Sequence, residues 1–555
     1  MSPRKTLLLG IDGSTFDLLS PWIEAGKLPV FERILETGSH GVLTSTIPAQ
    51  TCPALPSLYT GKNPGNTGLF GFVKAGGGIS SSFDVEAKPV WQLLSEKGLK
   101  SGIFNLRTTY PARPFKGMMF ASIQNPRVQP NYAYPREAKA RLEGFITTWA
   151  ETRKIHTICL QGRREGVEKL LEVTRGRYRL AKRLLQEENF DFLLLWIENT
   201  DAVQHTCWSH PELILSFFQG LEEILSDLLE SYPDENILIC SDHGFGGYRT
   251  KDLYINSWLR EQGFIRTKGN RFFPKLVSWG YTLADKLFNR AFKGVPAIVA
   301  RAVIRWLLHQ LRRLLGLALY LKGRKPQRVK TEKDAVRQVL FRRKPFVPGA
   351  DWKSSVAYAN NSWGVYVNRE VVPPDEYLQT VERIIRELKS LRDWEGKPVI
   401  KEAWEKGEIY SGKYLDQIPD IVILGSDEYF VRTRPSTKIL SKTATPLEVA
   451  SHRTAREGLF MAVGPDIKKD YKMEGANIED VTPTVLHLFG LEIPEDIDGK
   501  VLKEIFREGS DPAVREVKFT KPAEYELEEA RISKKEEAAM KGMLKGLGYL
   551  DEETG

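Results

Sequence analysis

The chain is 555 residues long, which leaves room for several domains of about 150 residues or for one elaborated catalytic domain with insertions. With 41% apolar and 27% charged residues it has the composition of an ordinary soluble globular protein, so disorder is not expected. A net charge of +9 is compatible with an anionic substrate or surface, but no recognition-helix, zinc-finger or ribonucleoprotein pattern indicates specific nucleic acid recognition.

Cysteine spacing and the lengths of apolar runs bear on where the protein resides. Cys52, Cys159, Cys207 and Cys240 are scattered with no CxxC pair, a pattern that favours a reducing compartment over a disulfide framework. The apolar run near the N terminus is too short for a signal peptide, and no uninterrupted run of about 18 apolar residues predicts a transmembrane helix. We therefore expect a cytoplasmic protein, with membrane association left open.

Short apolar runs alternate with helical patterns in the first half of the chain. The runs are TLLLGI (6–11), SGIFNL (101–106), FLLLWI (192–197) and NILICS (236–241). Such runs are typical of strands buried on both faces of a parallel sheet, whereas the leucine spacing over residues 168–188 predicts a helix. The alternation predicts a doubly wound, mostly parallel α/β sheet flanked by helices.

The character of the sequence changes after about residue 261. The stretch that follows is basic and rich in Leu, Arg and Trp, and we interpret it as a helical insertion or cap. Strand patterns resume in AYANNSWGVYVN (357–368), DIVILG (420–425) and GLFMAVG (458–464). The predicted bounds are 1–270 and 350–510 for the two parts of a catalytic α/β domain, 271–349 for the insertion and 511–555 for a charged helical appendage.

Acidic residues and histidines fall at the strand ends where doubly wound sheets bind ligands. They are Asp12 after the first strand, Asp201 and His205 after FLLLWI, Asp242 and His243 after NILICS, and His452 before GLFMAVG. Taken singly, such an Asp is as well explained by a helix cap, and such a His by a surface or core position. Three carboxylates and three imidazoles at one edge are nevertheless enough for two divalent ions, and mixed nitrogen and oxygen ligands suit zinc, with manganese as the alternative. Two ions can clamp the attacking and leaving oxygens of an in-line displacement.

The segment TIPAQTCPALPSLYTGKNPG (46–65) offers a nucleophile for such a site. Pro48, Pro53 and Pro56 stiffen a loop that presents Thr51 and then enters a helix. The alternative is that this Thr only caps the helix. A hydroxyl has a high pKa and becomes a nucleophile only where a base or a metal activates it, which the predicted two-metal site would do.

These motifs occur together in a fixed order with several others. The pieces, spread over about residues 5–505, are GIDG, PxxTxP with SLYTGKNPG, TDxxQH, SDHG, NSWLREQGF, YVNREVVPP, YSGKYLDQIPDIVIL, the histidine before GLFMAVGPDI, and DVTPTVLHLFGLEIPEDIDGKVL. The set resembles the type I phosphodiesterase and nucleotide pyrophosphatase family of the alkaline phosphatase superfamily. The resemblance implies one metal held by Asp201, His205 and His452, and a second held by Asp12, Thr51, Asp242 and His243. It also implies that Thr51 attacks phosphorus, giving a phosphothreonine that water then hydrolyses.

Three departures from known patterns bear on the substrate. Sulfatases of the superfamily carry a modified Cys or Ser followed by x-Pro-Ser/Ala-Arg; here Thr51 is followed by Cys-Pro-Ala-Leu, which disfavours a sulfatase, and Cys52 lies one residue away from the nucleophile position. Ala54 stands where nucleotide pyrophosphatases usually carry Asn, which removes a phosphate-oxygen donor and weakens a nucleotide assignment. Thr67 replaces a His that is common after this loop, at a position that is not a metal ligand.

The resemblance leads us to expect a metal-dependent hydrolase of phosphoric esters acting on a small-molecule substrate, with phosphodiester or pyrophosphate cleavage preferred. A phosphomonoesterase or a phosphotransferase of the same superfamily is the alternative. A rival from another class is a non-catalytic membrane-surface or binding protein on the same fold.

The insertion contains a second feature of interest. Residues 294–321 predict a helix with a stripe of arginines beside an apolar face that is wider than one sheet requires. Such a helix would suit peripheral contact with an anionic membrane. We favour instead a lid that packs against the catalytic domain or a second subunit, so a homo-oligomer is left open.

Overall fold

The structure is a computed structural model. The described residues are 4–74, 78–122, 129–142, 149–247, 249–267, 345, 347, 349–443, 454–522 and 532–546. His452 and nearly all of the predicted insertion, with its helix at 294–321, lie outside the described residues.

The strands are defined by their backbone pairing. In chain order they are β1 (Thr6–Ile11), β2 (Ser39–Thr44), β3 (Ser101–Phe104), β4 (Gly117–Phe120), β5 (Ala133–Tyr134), β6 (Phe192–Ile197), β7 (Asn236–Cys240), β8 (Lys251–Tyr254), β9 (Ala357–Asn361), β10 (Gly364–Val367), β11 (Ile400–Glu405), β12 (Ile421–Gly425), β13 (Tyr429–Arg432), β14 (Leu440–Lys442), β15 (Glu457–Val463), β16 (Tyr471–Asn477), β17 (Ile493–Pro494) and β18 (Phe519–Thr520).

The helices follow the same chain-order numbering. They are α1 (Phe16–Glu24), α2 (Pro29–Thr37), α3 (Thr51–Thr60), α4 (Pro64–Thr67), α5 (Val90–Glu96), α6 (Trp149–Cys159), α7 (Arg164–Glu188), α8 (Asn199–Cys207), α9 (Pro211–Ser231), α10 (Ile255–Glu261), α11 (Tyr377–Ser390), α12 (Lys406–Ile409), α13 (Val481–Leu488), α14 (Asp511–Val514) and α15 (Lys534–Gly546). None of these described helices is long and apolar enough to span a membrane.

The chain divides into two compact units. The first comprises Met1–Tyr248, Lys406–Ile418 and Val449–Gly555, and the second comprises Arg249–Glu405 and Pro419–Glu448. The domain bounds expected from the sequence remain predictions, because the stretch between the two predicted catalytic parts falls mostly outside the described residues.

The first unit is built on a nine-stranded sheet in the order β16-β2-β15-β7-β1-β6-β3-β4-β5. The five strands from β7 to β4 are parallel to one another, and β15 runs antiparallel to β7. Successive residues of β1 pack into different layers: Leu7 and Leu9 lie in the cluster formed with α7 and α9, and Leu8 lies in the cluster formed with α3 and α13. Helices therefore cover both faces, which confirms the predicted doubly wound, mostly parallel α/β fold.

Most predicted elements occur where the apolar runs indicate. TLLLGI and FLLLWI coincide with β1 and β6, and the predicted helix at 168–188 lies within α7. The strand pattern at 357–368 corresponds to two strands, β9 and β10, and the Asn361 side chain accepts a hydrogen bond from the Trp363 backbone at 3.1 Å where the chain reverses. These strands belong to a four-stranded antiparallel sheet of the second unit, in the order β11-β12-β10-β9.

Candidate active site

The carboxyl ends of three adjacent strands collect most of the predicted site residues. Asp12 directly follows β1, which lies between β6 and β7 in the sheet. Asp242 and His243 follow β7, and Asp201 lies in the first turn of α8 just after β6. Because the three strands are parallel, the residues after each one emerge at the same edge.

The side chains of this cluster converge within hydrogen-bonding or metal-binding range. Asp12, Asp201 and His243 each offer one ligand atom, and these atoms lie within 4.8 Å of one another. The His243 Nε2 atom lies 3.4 Å from Asp242 Oδ2 and 3.7 Å from Asp12 Oδ1. All four side chains are buried, so the cluster lies below the protein surface.

The helix after β6 adds an imidazole to the cluster. Asp201 and His205 are one turn apart on α8 and therefore share a face of the helix. The His205 Nε2 atom lies 3.3 Å from Asp201 Oδ1. The imidazole ring meets the Phe245 ring edge-on, with the centroids 4.8 Å apart.

Thr51 lies at the start of a buried helix beside the same cluster. It is the first residue of α3, which ends at Gly61 in a left-handed conformation with φ of 71°. The Thr51 Oγ1 atom is 3.3 Å from His243 Nε2, and the whole side chain is buried. The structure thus brings together Thr51 and five of the six predicted acid and histidine ligands, while His452 lies outside the described residues.

The position of β15 nevertheless locates the chain just after His452. Phe460 pairs with Cys240, and the Gly244 N–H donates to the Ala455 carbonyl at 3.0 Å. Because β15 is antiparallel to β7, it begins at the edge where β7 ends. The described residues that directly precede β15 therefore lie beside the Asp242–His243 turn.

Surrounding groups hold the aspartates in fixed orientations. The Trp196 indole N–H donates to Asp12 Oδ2 at 2.9 Å, and the Thr200 hydroxyl donates to the Asp12 carbonyl at 2.7 Å. The Gly13 N–H lies 3.3 Å from Asp242 Oδ1. Gly10 allows the indole to approach β1, since a Cβ there would lie 1.8 Å from the Trp196 ring. Orientation of ligands by such outer contacts is typical of metal sites.

The chemistry of the cluster fits a divalent cation. Oδ1 of Asp12 is buried and accepts no hydrogen bond from the residues that the structure describes. Burial, followed by the charges of Asp242 and Asp201, raises the pKa of Asp12 well above its usual value. Burial and the charge of Asp201 likewise raise the pKa of Asp242 to about 7. Convergent buried carboxylates with imidazoles between them match the mixed oxygen and nitrogen set expected for zinc or manganese.

Sequence reasoning missed an ion-pair cluster next to this site. The Glu198 carboxylate lies 2.8 Å from Arg177 and 3.2 Å from Arg107. Burial would raise the pKa of Glu198, but the two arginines outweigh it and hold this pKa at about 2. Arg107 is close enough to lower the pKa of Asp12. Arg107 and Glu198 could have been found by the rule that identified Asp12, because they follow β3 and β6 closely.

His156 is a second group near the site that the sequence analysis did not identify. It lies on α6, which packs against α8. Burial lowers the pKa of His156 to about 4, and the charges of Glu198, His205, Arg107 and Asp201 also act on it. No strand precedes this histidine closely, so no sequence signal connected it with the site.

Cys52, which follows Thr51 in the chain, lacks the surroundings that a cysteine nucleophile needs. Cys52 is fully buried, and burial raises the pKa of its thiol, so the reactive thiolate is disfavoured. Ala54 lies one turn further along α3 and is fully buried. Thr67 is buried in α4.

Solved structures share this fold. Wild-type alkaline phosphatase PafA is 12% identical, with a TM-score of 0.51 over 91% of this chain and 99% of that chain. Phosphonoacetate hydrolase from Sinorhizobium meliloti 1021 is 15% identical, with a TM-score of 0.49 over 88% of this chain and 96% of that chain. Inactive murine ectonucleotide pyrophosphatase/phosphodiesterase 5 in complex with AMP is 13% identical, with a TM-score of 0.45 over 91% of this chain and 100% of that chain. At these identities the likeness to PafA supports the fold alone.

Sequence comparison supplies the family. No curated protein sequence matches the chain significantly. The model of the type I phosphodiesterase / nucleotide pyrophosphatase family matches residues 6–454, which is most of the chain and includes the whole set of predicted ligands. The chain therefore belongs to the type I phosphodiesterase and nucleotide pyrophosphatase family, and it is a hydrolase of phosphoric esters.

Proposed function

We propose that the protein cleaves small phosphodiesters or pyrophosphates in two steps through a phosphothreonine at Thr51. The observation that carries this proposal is the buried Thr51 hydroxyl, 3.3 Å from His243 Nε2 at the start of α3. A hydroxyl surrounded by convergent carboxylates and imidazoles has the setting that an activated nucleophile needs.

Two divalent ions, zinc or manganese, are part of this proposal. Asp201, His205 and His452 would hold one ion, and Asp12, Thr51, Asp242 and His243 would hold the other. When bound, such ions neutralise charge on the phosphoryl group and favour the ionised form of a hydroxyl nucleophile.

Thr51 and a water molecule would supply the attacking oxygens of the two steps. In the first step the Thr51 oxygen forms a bond to phosphorus, and the bond from phosphorus to the leaving oxygen breaks. In the second step water attacks the same phosphorus, and the bond to Thr51 breaks, which restores the hydroxyl. The amide groups at the N terminus of the ten-residue helix α3 would favour the anionic phosphoryl group beside Thr51.

The alternatives concern the second step and the charge of the substrate. A phosphotransferase would use an alcohol in place of water, and a phosphomonoesterase would prefer a dianionic ester. A non-catalytic binding protein on this fold is disfavoured, because the described part of the chain retains Thr51 and brings five predicted ligands together at one sheet edge.

A metal-by-metal substrate panel tests the proposal. Purified protein is assayed on bis-p-nitrophenyl phosphate and p-nitrophenyl phosphate, with zinc, manganese or magnesium added after chelation. We expect the diester to turn over faster, activity to vanish in EDTA and zinc or manganese to restore it. Full activity in EDTA without bound metal would contradict the two-metal site, and faster monoester turnover would favour the phosphomonoesterase.

The proposal also covers the cellular location of the protein and its oligomeric state. We propose a cytoplasmic location, supported by four cysteines that are all free and buried. Peripheral membrane contact through residues 294–321 and a homo-oligomer remain secondary proposals, since that segment lies outside the described residues.

A further inference from the structure

One short segment of the first unit interrupts the chain of the second. Lys406–Ile418 belongs to the unit that carries Thr51, whereas the chain on either side of it belongs to the other unit. The segment contains the first nine residues, YSGKYLDQI, of the YSGKYLDQIPDIVIL motif, which the family resemblance left without a role. We call these residues the 406–418 segment.

Tyr410 of the 406–418 segment holds the loop that leads to Thr51. Its hydroxyl donates to the Ile47 carbonyl at 2.7 Å and accepts from the Ile47 N–H at 2.5 Å. One hydroxyl therefore satisfies both the N–H and the carbonyl of Ile47, a buried residue that lies shortly before α3. Burial raises the pKa of Tyr410, so its hydroxyl stays protonated and continues to donate.

Two further groups connect the same loop to the candidate active site. The Ser45 hydroxyl donates to the Asp242 carbonyl at 2.5 Å. The Arg456 side chain donates from Nε to the Ser45 carbonyl at 2.9 Å, and the Ser45 N–H donates to the Arg456 carbonyl at 2.8 Å. The loop is thus fixed on one side to the turn that carries Asp242 and His243, and on the other to Tyr410.

The 406–418 segment also holds the chain that leaves α3. The Asn63 side chain donates from Nδ2 to the Ser411 hydroxyl at 3.1 Å, and the Tyr414 N–H donates to the Gly65 carbonyl at 3.0 Å. A Cβ at Gly65 would lie 2.3 Å from the Ser411 carbonyl oxygen, so the two backbones are in close contact. The 406–418 segment therefore forms hydrogen bonds with the chain on both sides of α3.

We propose that Tyr410 is a positioning residue for phosphoryl transfer, which fixes Ile47 and so places the Thr51 hydroxyl against His243 and Asp242. This role rests on the proposed function, in which Thr51 is the nucleophile. Displacement of a nucleophile by about 1 Å can slow a reaction on the order of a hundredfold. Without the tyrosine hydroxyl, the Ile47 N–H and carbonyl lose their partners, and the loop shifts to recover hydrogen bonds elsewhere.

Tyr410→Phe tests the proposal, with Tyr414→Phe as the matched control. Tyr414 lies on the same segment, but its hydroxyl faces Glu86 instead of the Thr51 loop. In rapid-mixing experiments with bis-p-nitrophenyl phosphate we expect Tyr410→Phe to slow the burst of p-nitrophenol by roughly 10- to 100-fold. The KM and the metal content should stay near those of the wild type, which a merely structural defect would not achieve. A burst rate within about twofold of the wild type, or an equal loss in Tyr414→Phe, would overturn the role.

Thr51→Ala, measured in parallel, separates this proposal from the proposed function. If Thr51→Ala is inactive and Tyr410→Phe is unchanged, only the positioning role fails. If Thr51→Ala keeps wild-type turnover, the phosphothreonine route fails and the positioning role fails with it. Should Tyr410→Phe not fold, Arg456→Gln releases the same loop through Ser45 and must also slow the burst, and an unchanged burst in that variant would overturn the proposal.

Discussion

Thr51 and Cys52 are adjacent, but their surroundings differ in the way that the chemistry requires. The Thr51 hydroxyl lies 3.3 Å from His243, whereas the Cys52 thiol is buried among apolar residues and its pKa is raised. Only the threonine is therefore placed among groups that could activate it. Substitution of Thr51 therefore tests the nucleophile, and substitution of Cys52 is its control.

Thr51→Ala should leave the fold intact and lower kcat by on the order of a thousandfold or more, because the attacking oxygen is removed while every predicted carboxylate remains. Thr51→Ser should keep partial activity, since the hydroxyl is retained. Acid quenching during turnover should trap a phosphate adduct on the peptide that contains Thr51. Cys52→Ala should stay within a few-fold of the wild type. Near wild-type turnover in Thr51→Ala would show that water attacks phosphorus directly.

Glu198 provides a prediction that depends on pH. Its folded-state pKa of about 2 lies below the usual value of 4.5, because Arg177 and Arg107 outweigh the effect of burial. As the pH falls, the unfolded chain therefore binds a proton at this residue before the folded chain does. The stabilisation from the pair is complete above about pH 4.5 and is lost as the pH falls through about 2.

Glu198→Gln should accordingly lower the free energy of unfolding by about 3 kcal/mol at neutral pH. Urea unfolding of wild type and variant, repeated at stepwise lower pH, should show this gap narrowing below about pH 4.5. Glu223→Gln is the matched control, because Glu223 pairs with Arg175 at the surface and its side chain is 65% exposed. A gap that stays constant down to pH 3 would mean that the charge of Glu198 does not stabilise the fold.

The main sheet could be predicted from the sequence because its strands are buried on both faces. Such strands read as unbroken apolar runs, and β1 and β6 coincide with two of them. The meeting of Asp12 with Asp242 followed from the same reasoning, because parallel strands end at one edge. The roles of the gathered residues remain predictions that the experiments above test.

Other features of the site could not be predicted from local patterns. Tyr410 reaches Ile47 across 363 residues of sequence, and no periodicity or motif spacing specifies such a contact. His156 approaches α8 through packing between helices, which depends on the tertiary fold. The assignment of β9 and β10 to a separate antiparallel sheet was likewise invisible, because an apolar run does not reveal its pairing partner.

The contact between β1 and β6 places a hydrogen-bond donor beside Asp12. Trp196 of β6 packs over Gly10 of β1 and donates its indole N–H to Asp12 at 2.9 Å. Trp196→Phe keeps an aromatic ring but removes the donor that orients the carboxylate. We expect metal affinity to fall by roughly 10- to 100-fold, as measured by chelator competition, with a smaller effect at saturating metal. Trp258→Phe, at a buried tryptophan of the second unit, should leave metal affinity unchanged. Equal metal affinity in the wild type and Trp196→Phe would show that the indole hydrogen bond to Asp12 does not contribute to metal binding.

The described residues on either side of the predicted insertion lie next to each other in the second unit. Thr267 pairs with Ala350 in an antiparallel bridge, and the Asp351 N–H donates to the Arg266 carbonyl at 2.7 Å. Val347 is already part of the core of that unit. Replacing residues 271–344 with a short glycine–serine linker should therefore preserve both ends of the connection.

This deletion distinguishes a cap from a membrane contact. We expect hydrolysis of bis-p-nitrophenyl phosphate to stay within about threefold of the wild type, because none of the predicted ligands falls within the deleted stretch. If residues 294–321 contact an anionic membrane, the intact protein should co-sediment with phosphatidylserine vesicles at low salt, and the deletion should abolish this. If the intact protein ignores such vesicles, a changed KM for bulkier diesters in the deletion would identify the segment as a cap over the site. Complete loss of small-diester hydrolysis in a folded deletion variant would contradict both interpretations, since the insertion would then supply a group needed for the reaction.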